Sequence, residues 1–204
     1  MAAPSVAQYT LSRLSQLGLD RIFGVPGDYA FSIDDAAELV PGLSWVACAN
    51  ELNAAYAADG YARIRGAAIL STTYGVGELS AINGVMGSKA HRLPVFHLVG
   101  MPSERIQKQG LITHHNLGDA VYDRFQALSA EAACVSAVLT PDNCVDELER
   151  AGVAQGAEVV VTGAGFRGVV AISQNDDVLT GLAQYGIETS FNMSFRVVRG
   201  NNHR

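Results

Sequence analysis

The stretch Ala67-Ala-Ile-Leu-Ser-Thr-Thr-Tyr-Gly-Val-Gly77 decides the fold. Its first six residues, Ala67 to Thr72, are small, aliphatic or β-branched without a break, and they read as a strand. The loop Tyr74-Gly-Val-Gly77 ends it, and Glu78 to about His91 reads as a helix. Leu93 to Gly100 follows as a continuous apolar run, the pattern of a strand covered on both faces of a parallel sheet.

The same rhythm extends towards the N-terminus. Glu51 opens an alanine-rich helix to about Ile64, preceded by a strand over Leu43 to Ala49. Pro41–Gly42 separates that strand from a helix over Phe31 to Leu39. Arg21 to Val25 is a shorter strand, stopped by the Pro26–Gly27 turn. Ser5-Val-Ala-Gln8 has the form of a capping box, and Val6, Tyr9, Leu14 and Leu17 recur at helical spacing. Gly18 then closes that first helix as a C′ residue. Strands alternating with helices predict an α/β, doubly wound and mainly parallel sheet. Ligands of such sheets bind at the carboxyl ends of the strands. Those ends are Gly24-Val-Pro-Gly-Asp28, Asn50–Glu51, Thr72 to Gly77 and Gly100-Met-Pro102.

Composition narrows the classes of function. The 204 residues carry 14 Lys and Arg against 20 Asp and Glu, a formal net charge of −6. That balance argues against a nucleic-acid or anionic-membrane partner, which calls for clustered cations. Hydrophobic residues make up 49% and charged residues 17%, so a real core is expected, along with some surface covered by a partner subunit. No apolar run is long enough to span a bilayer, and the N-terminus has no signal-peptide pattern. Cys48, Cys134 and Cys144 form no CxxC pair, which suits reduced thiols in a cytoplasm. The histidines show no Cys/His ligand spacing, so no structural zinc site is expected and no metal ligand is assigned.

Three groups of residues could carry chemistry. Glu51, at the end of an apolar strand, would sit in largely apolar surroundings, where burial favours the neutral acid and makes it useful for sharing a proton. Its competing reading is a helix-start glutamate stabilised by the dipole. Asp28 lies in the first strand-end loop. His114–His115 lie in a polar loop; from a regular helix or strand, adjacent histidines could not both face one pocket. Histidine is the usual proton shuttle near neutral pH, and a helix-start pair is the alternative.

Five motifs in order, Gly24-Val-Pro-Gly-Asp-Tyr29, Asn50–Glu51, Tyr56-Ala-Ala-Asp-Gly-Tyr-Ala-Arg63, Thr73-Tyr-Gly-Val-Gly77 and His114-His-Asn-Leu-Gly118, resemble a known family. It is the N-terminal pyrimidine-binding domain of thiamine-diphosphate-dependent 2-oxo acid decarboxylases, and the likeness covers roughly residues 5 to 150. The Gly-Asp-Tyr and His-His signatures resemble pyruvate and indolepyruvate decarboxylases more than acetolactate synthases. The resemblance implies that Glu51 hydrogen-bonds the cofactor's aminopyrimidine ring and favours its imino form. Asp28 and His114 would handle protons around the departing aldehyde, with His115 in the same network. Pro26, Thr73 and Gly75 would line the pyrimidine pocket. The cofactors implied are thiamine diphosphate and Mg²⁺, the latter held on a separate C-terminal domain marked by Gly-Asp-Gly. The substrate implied is a small 2-oxo acid, and the assembly a homodimer or homotetramer.

Neither the Gly-Asp-Gly motif nor the family's middle domain is present in the 204 residues. The chain therefore reads as a truncated, N-terminal part of such a lyase, inactive alone. The alternatives are the pyrimidine-binding subunit of a two-chain decarboxylase, or a non-catalytic α/β dimerisation module. Residues 1–180 are assigned to the domain and 181–204 to an irregular tail, with atypical, glycine-rich sequence from about Ala151. Phe166 to Asp176 faintly echoes the family's final strand. Gly163-Ala-Gly-Phe-Arg-Gly168 imitates a dinucleotide fingerprint, but a strand over Val169 to Ile172 stands where that fingerprint needs a helix.

Overall fold

A computed structural model describes residues 4–153, 162–163 and 166–170 of the chain. Four strands pair in parallel in the order β2-β1-β3-β4: β1 (Arg21–Gly24), β2 (Ser44–Ala47), β3 (Ala68–Thr73) and β4 (Val95–Gly100). Helices α1 (Val6–Gln16) and α2 (Phe31–Leu39) cover one face, where Leu11 and Ile33 pack with Ile22, Ile69 and Leu98. Helices α3 (Glu51–Arg65) and α4 (Val76–Ala90) cover the other, where Ala54, Ala58 and Val85 pack with Phe23, Leu70 and Val95. The expected α/β, doubly wound, mainly parallel architecture is the observed one.

Local signals explain the boundaries. Ser5 caps α1 with its hydroxyl on the Gln8 amide, and Gln8 Oε1 returns the bond to the Ser5 amide. Gly18 follows α1 with φ 82°, as a C′ residue does. Asn50 caps α3 through Oδ1, which accepts from the Asn53 amide at 2.8 Å. Helix α4 starts at Val76, two residues before the expected Glu78, which makes Glu78 the third helical residue.

Topology fixes where a ligand can sit. From β1 the chain steps outward to β2, then returns past β1 to β3. This reversal puts α2 and α3 on opposite faces, as crossovers of one hand require. The crevice at the carboxyl ends of β1 and β3 is thus the switch point where open α/β sheets bind ligands.

Beyond β4 come α5 (Glu104–Lys108), α6 (Arg124–Glu131), β5 (Val135–Ala137), α7 (Cys144–Val153), β6 (Thr162–Gly163) and β7 (Phe166–Val170). Strand β7 runs antiparallel to β4, β5 and β6. Its presence places the expected late strand at Phe166, and puts the last glycine of the dinucleotide-like motif inside a strand. Among the described residues, no helix starts there to receive a pyrophosphate. The division drawn between residues 180 and 181 lies outside the described residues. Among the described residues, no helix is long and apolar enough to cross a membrane.

Candidate functional site

Each expected site residue lies where a strand or the loop after it reaches the carboxyl edge of the sheet. Pro26 and Asp28 follow β1, Glu51 opens α3 after β2, Thr73 ends β3 with Gly75 just beyond, and His114–His115 lie in the long loop after β4. The loop from Thr73 to Gly77 is the hub. A Cβ on Gly27 would come 2.5 Å from Thr73 Cβ, so the loop after β1 closes directly on the end of β3. A Cβ on Gly77 would stand 3.0 Å from Thr73 Cγ2 and 3.4 Å from Glu51 Oε1. Glu51 therefore turns its carboxyl from the head of α3 towards β3, into space that Gly77 leaves free.

Both readings of Glu51 hold at once: it is the first residue of α3, and its carboxyl faces the crevice. Its surroundings are less enclosed than expected, since the residue is half-buried. Thr73 Oγ1, by contrast, is out of water with no hydrogen-bond partner. A buried hydroxyl left without a partner costs free energy, and a ligand with polar edges at this place would supply one.

Gly75 shapes the far side. Its φ of 67° is a left-handed conformation that favours glycine, and a Cβ there would collide with the His115 carbonyl oxygen. The turn is pinned by Glu78, which is 3% exposed. Glu78 Oε1 accepts from the Gly75 amide and Oε2 from the Ser129 hydroxyl, both at 2.9 Å. The sequence offers Glu78 only as a helix start; its link to Ser129 depends on packing against α6.

Across the crevice, His114 Nε2 lies 2.5 Å from Asp28 Oδ2. His114 Nδ1 lies 3.2 Å from the Tyr29 hydroxyl, and the Tyr29 and His114 rings stack with centroids 4.8 Å apart. Burial raises the Tyr29 phenol's pKa above its usual value, while a hydrogen bond with Thr113 acts the other way. Tyr29 went unassigned from the sequence, although it follows Asp28 directly. The two histidines sit in a turn, not on a regular element, and His115 takes a φ of 65°. That backbone brings both rings together, 4.4 Å apart, so the bar on adjacent histidines sharing a pocket does not apply here. The helix-start alternative for the pair is also excluded.

Two further titratable groups lie under the site. Asp34, on α2, keeps both carboxylate oxygens out of water, with the Gly27 amide as the backbone donor that approaches them. Burial pushes its pKa up to about 7; the nearby Gly27 amide acts against this and Asp35 adds to it. His97, on β4, meets Thr72 Oγ1 through Nε2 at 2.8 Å, and burial drives its pKa down to about 3. His97 is thus a neutral core residue. Among the described residues, the one group with three potential metal ligands is Asp28, His114 and His115. Two imidazoles and one carboxylate do not make the all-oxygen set that Mg²⁺ prefers.

Comparison with known proteins shows the family. The family model described as thiamine pyrophosphate enzyme, N-terminal TPP binding domain, matches residues 4–127. The chain is 49% identical over 148 residues to an alpha-keto-acid decarboxylase of Mycobacterium avium (strain 104), covering 72% of this chain and 26% of that protein. It is 47% identical over 149 residues to an alpha-keto-acid decarboxylase of Mycobacterium leprae (strain TN), covering 73% and 26%. It is 46% identical over 140 residues to a pyruvate decarboxylase of Hanseniaspora uvarum, covering 69% and 25%. The chain spans about a quarter of the length of these curated relatives.

Proposed function

Since the chain belongs to the thiamine pyrophosphate enzymes through their N-terminal TPP-binding domain, we propose that it supplies the pyrimidine-binding part of a non-oxidative 2-oxo acid decarboxylase. The observation that carries this reading is Glu51 Oε1 facing the Thr73–Gly77 loop, with the Asp28–His114 pair on the same sheet edge. The residues fit an aminopyrimidine: a carboxyl to meet a ring nitrogen, a buried Thr73 hydroxyl lacking a partner, and glycines that let the strand-end loops close tightly around both. Bound there, thiamine diphosphate supplies the carbon acid and electron sink that the protein lacks. Glu51 holds a proton at the pyrimidine edge, and Pro26, Thr73 and Gly75 shape the pocket around it. Loss of CO₂ from a 2-oxo acid leaves a carbon that must take up one proton to become the aldehyde. Asp28 and His114, 2.5 Å apart, hold such a proton between them, and His115 flanks the pair.

The finer parts of the reading follow from the same family likeness. The substrate is a small 2-oxo acid of the pyruvate or indolepyruvate type, and the assembly is a homodimer or homotetramer; the compartment, read from the unpaired cysteine pattern, is the cytoplasm. Residues 1–180 form the domain. Mg²⁺ binds with the cofactor's diphosphate, on residues other than the described ones.

A chimera tests the proposal. Residues 4–127 replace the matching segment of the Mycobacterium avium relative, and decarboxylation of 2-oxo acids is measured with thiamine diphosphate and Mg²⁺. Turnover that Glu51→Gln lowers by about 10²-fold or more, the scale of a lost proton-transfer group, is expected. A folded chimera that binds thiamine diphosphate but releases no CO₂ would overturn the reading.

A further inference from the structure

Asp28, His114 and His115 each offer one ligand atom, and these atoms all lie within 4.8 Å of one another. No ligand spacing in the sequence announces this cluster, because Asp28 arrives from the end of β1, 86 residues before His114. Three features make the group more than a chance meeting of polar side chains.

The first is the charge between Asp28 and His114. When His114 donates its Nδ1–H to the Tyr29 hydroxyl, the Nε2 lone pair points at Asp28 Oδ2 across 2.5 Å. A lone pair and a carboxylate oxygen at that distance repel unless something positive stands between them. A proton fills that role, and so does a metal ion. Tyr29 then acts as the outer partner that metal-bound histidines have on their second nitrogen, fixing tautomer and ring orientation.

The second feature is His115, whose Nδ1 is out of water with no hydrogen-bond partner. That nitrogen has no solvation to lose when the ring turns to a cation. The third is access. Asp28 and His114 are exposed, so an ion reaches the cluster without any opening of the core.

Two imidazoles and one carboxylate suit borderline cations such as Zn²⁺ and Cu²⁺ over Mg²⁺ or Ca²⁺. Ligand distances of about 2.0–2.2 Å around Zn²⁺ place neighbouring donors roughly 3–3.5 Å apart in a tetrahedron. To hold the ion, side-chain rotation must open the Asp28–His114 contact from 2.5 Å to that range and close the longest separations, which lie within 4.8 Å.

We propose that Asp28, His114 and His115 form a three-ligand site for a Zn²⁺-class divalent cation, with its fourth position open to water. The ion takes the place of the proton between Asp28 and His114, so binding silences the pair. This inhibitory consequence rests on the proton-handling role given to the pair above; the binding itself does not.

Isothermal titration of the 204-residue chain with ZnCl₂ alone, at neutral pH, tests the site, with MgCl₂ as the parallel probe. One Zn²⁺ per chain and no Mg²⁺ uptake are expected at this cluster. His114→Gln and His115→Gln should each weaken binding by at least the roughly tenfold that loss of an outer-shell partner costs. Imidazole ¹⁵N spectra of the unaltered chain give an independent readout, in which Zn²⁺ moves His114 and His115 but not His91, His97 or His203. No binding, or binding that survives both substitutions and shifts other histidines, overturns the site. A chimera with Glu51-dependent turnover, beside a chain that takes up no Zn²⁺, overturns this site alone. A chain that binds Zn²⁺ through His114 and His115, beside a folded chimera without turnover, upholds it and overturns only the pyrimidine reading.

Discussion

Gly77 and Glu51 share one space: a Cβ on the glycine would stand 3.4 Å from the carboxylate's Oε1. That distance is ordinary contact, but the same Cβ would meet Thr73 Cγ2 at 3.0 Å, which forces a neighbour to move. The side chains expected to hold a pyrimidine therefore depend on a residue with none.

Gly77→Ala should separate folding from binding. Alanine in a helix gains about 0.5–1 kcal/mol over glycine, which offsets much of the crowding at Thr73. Thermal unfolding should change little, while affinity of the chimera for thiamine diphosphate, measured by calorimetry, should fall as the Thr73 side chain is pushed aside. Unaltered affinity would mean that the pyrimidine does not rest on Thr73.

Gly75→Ala should be far more harmful. The left-handed backbone alone costs an alanine about 1–2 kcal/mol, and the collision with the His115 carbonyl adds to it. A loss of about 2 kcal/mol or more is expected in denaturant unfolding, and the spectral signature of the His114–His115 turn should change with it. A variant as stable as the parent would contradict the packing described.

Asp34 makes a pH-dependent prediction of definite sign. Its folded pKa near 7 stands above the ordinary 3.8, so between those values the folded chain holds a proton that the unfolded chain has released. Stability contributed by Asp34 thus falls as pH rises from about 4 to 7, and its full cost is present above 7. The shift corresponds to about 4 kcal/mol at 1.36 kcal/mol per unit, which partial exposure reduces to about 1–2 kcal/mol. Asp34→Asn should therefore stabilise the chain at pH 8 and do little at pH 4, as read from urea midpoints.

His97 acts in the opposite direction. Held neutral down to about pH 3, it takes no proton in the folded chain while the unfolded chain takes one below 6.5. Stability is lost as pH falls from 6.5 towards 3, by an amount on the order of a few kcal/mol. His97→Gln should lower stability at pH 7, by disturbing the bond to Thr72, yet flatten this acid limb. An acid limb of unchanged slope would show that another group sets it.

Association is the last expectation. Tyr56 and Ile64 on α3, and Val76 and Met86 on α4, are exposed apolar residues on neighbouring helices. Exposed apolar side chains on two packed helices suit an interface. Sedimentation of the 204-residue chain should show dimers or larger species, and Ile64→Lys with Met86→Lys should shift them towards monomer. A monomeric parent at high concentration would count against a covered face.

The alternating βα rhythm was legible because local signals and packing agree. Phe31 to Leu39 is helical over the expected residues, and the Ser5–Gln8 capping box forms. The start of α4 was misplaced by two residues, because the turn depends on a left-handed Gly75 tied to a buried Glu78, and neither property shows in residue type. That Thr73, Gly75 and Glu51 stand at or just beyond strand ends is readable from the βα alternation. The contact of Asp28 with His114 was not derivable from spacing, since it joins loops that only the sheet order brings together. Asp34 gave no sign at all: an acidic residue early in a helix looks like a solvated one.

Trp45 is the chain's one indole, and its ring edge lies where Gly24 has no side chain. A Cβ on that glycine would meet the ring at 2.8 and 2.9 Å, and the indole N–H is out of water without an acceptor. Gly24 closes β1 two residues before Pro26, so the chain carries its single tryptophan at the base of its crevice. Its emission should lie to the blue of free tryptophan and shift when the loop after β1 rearranges. Occupancy of the crevice can then be followed by light, with no label and no turnover.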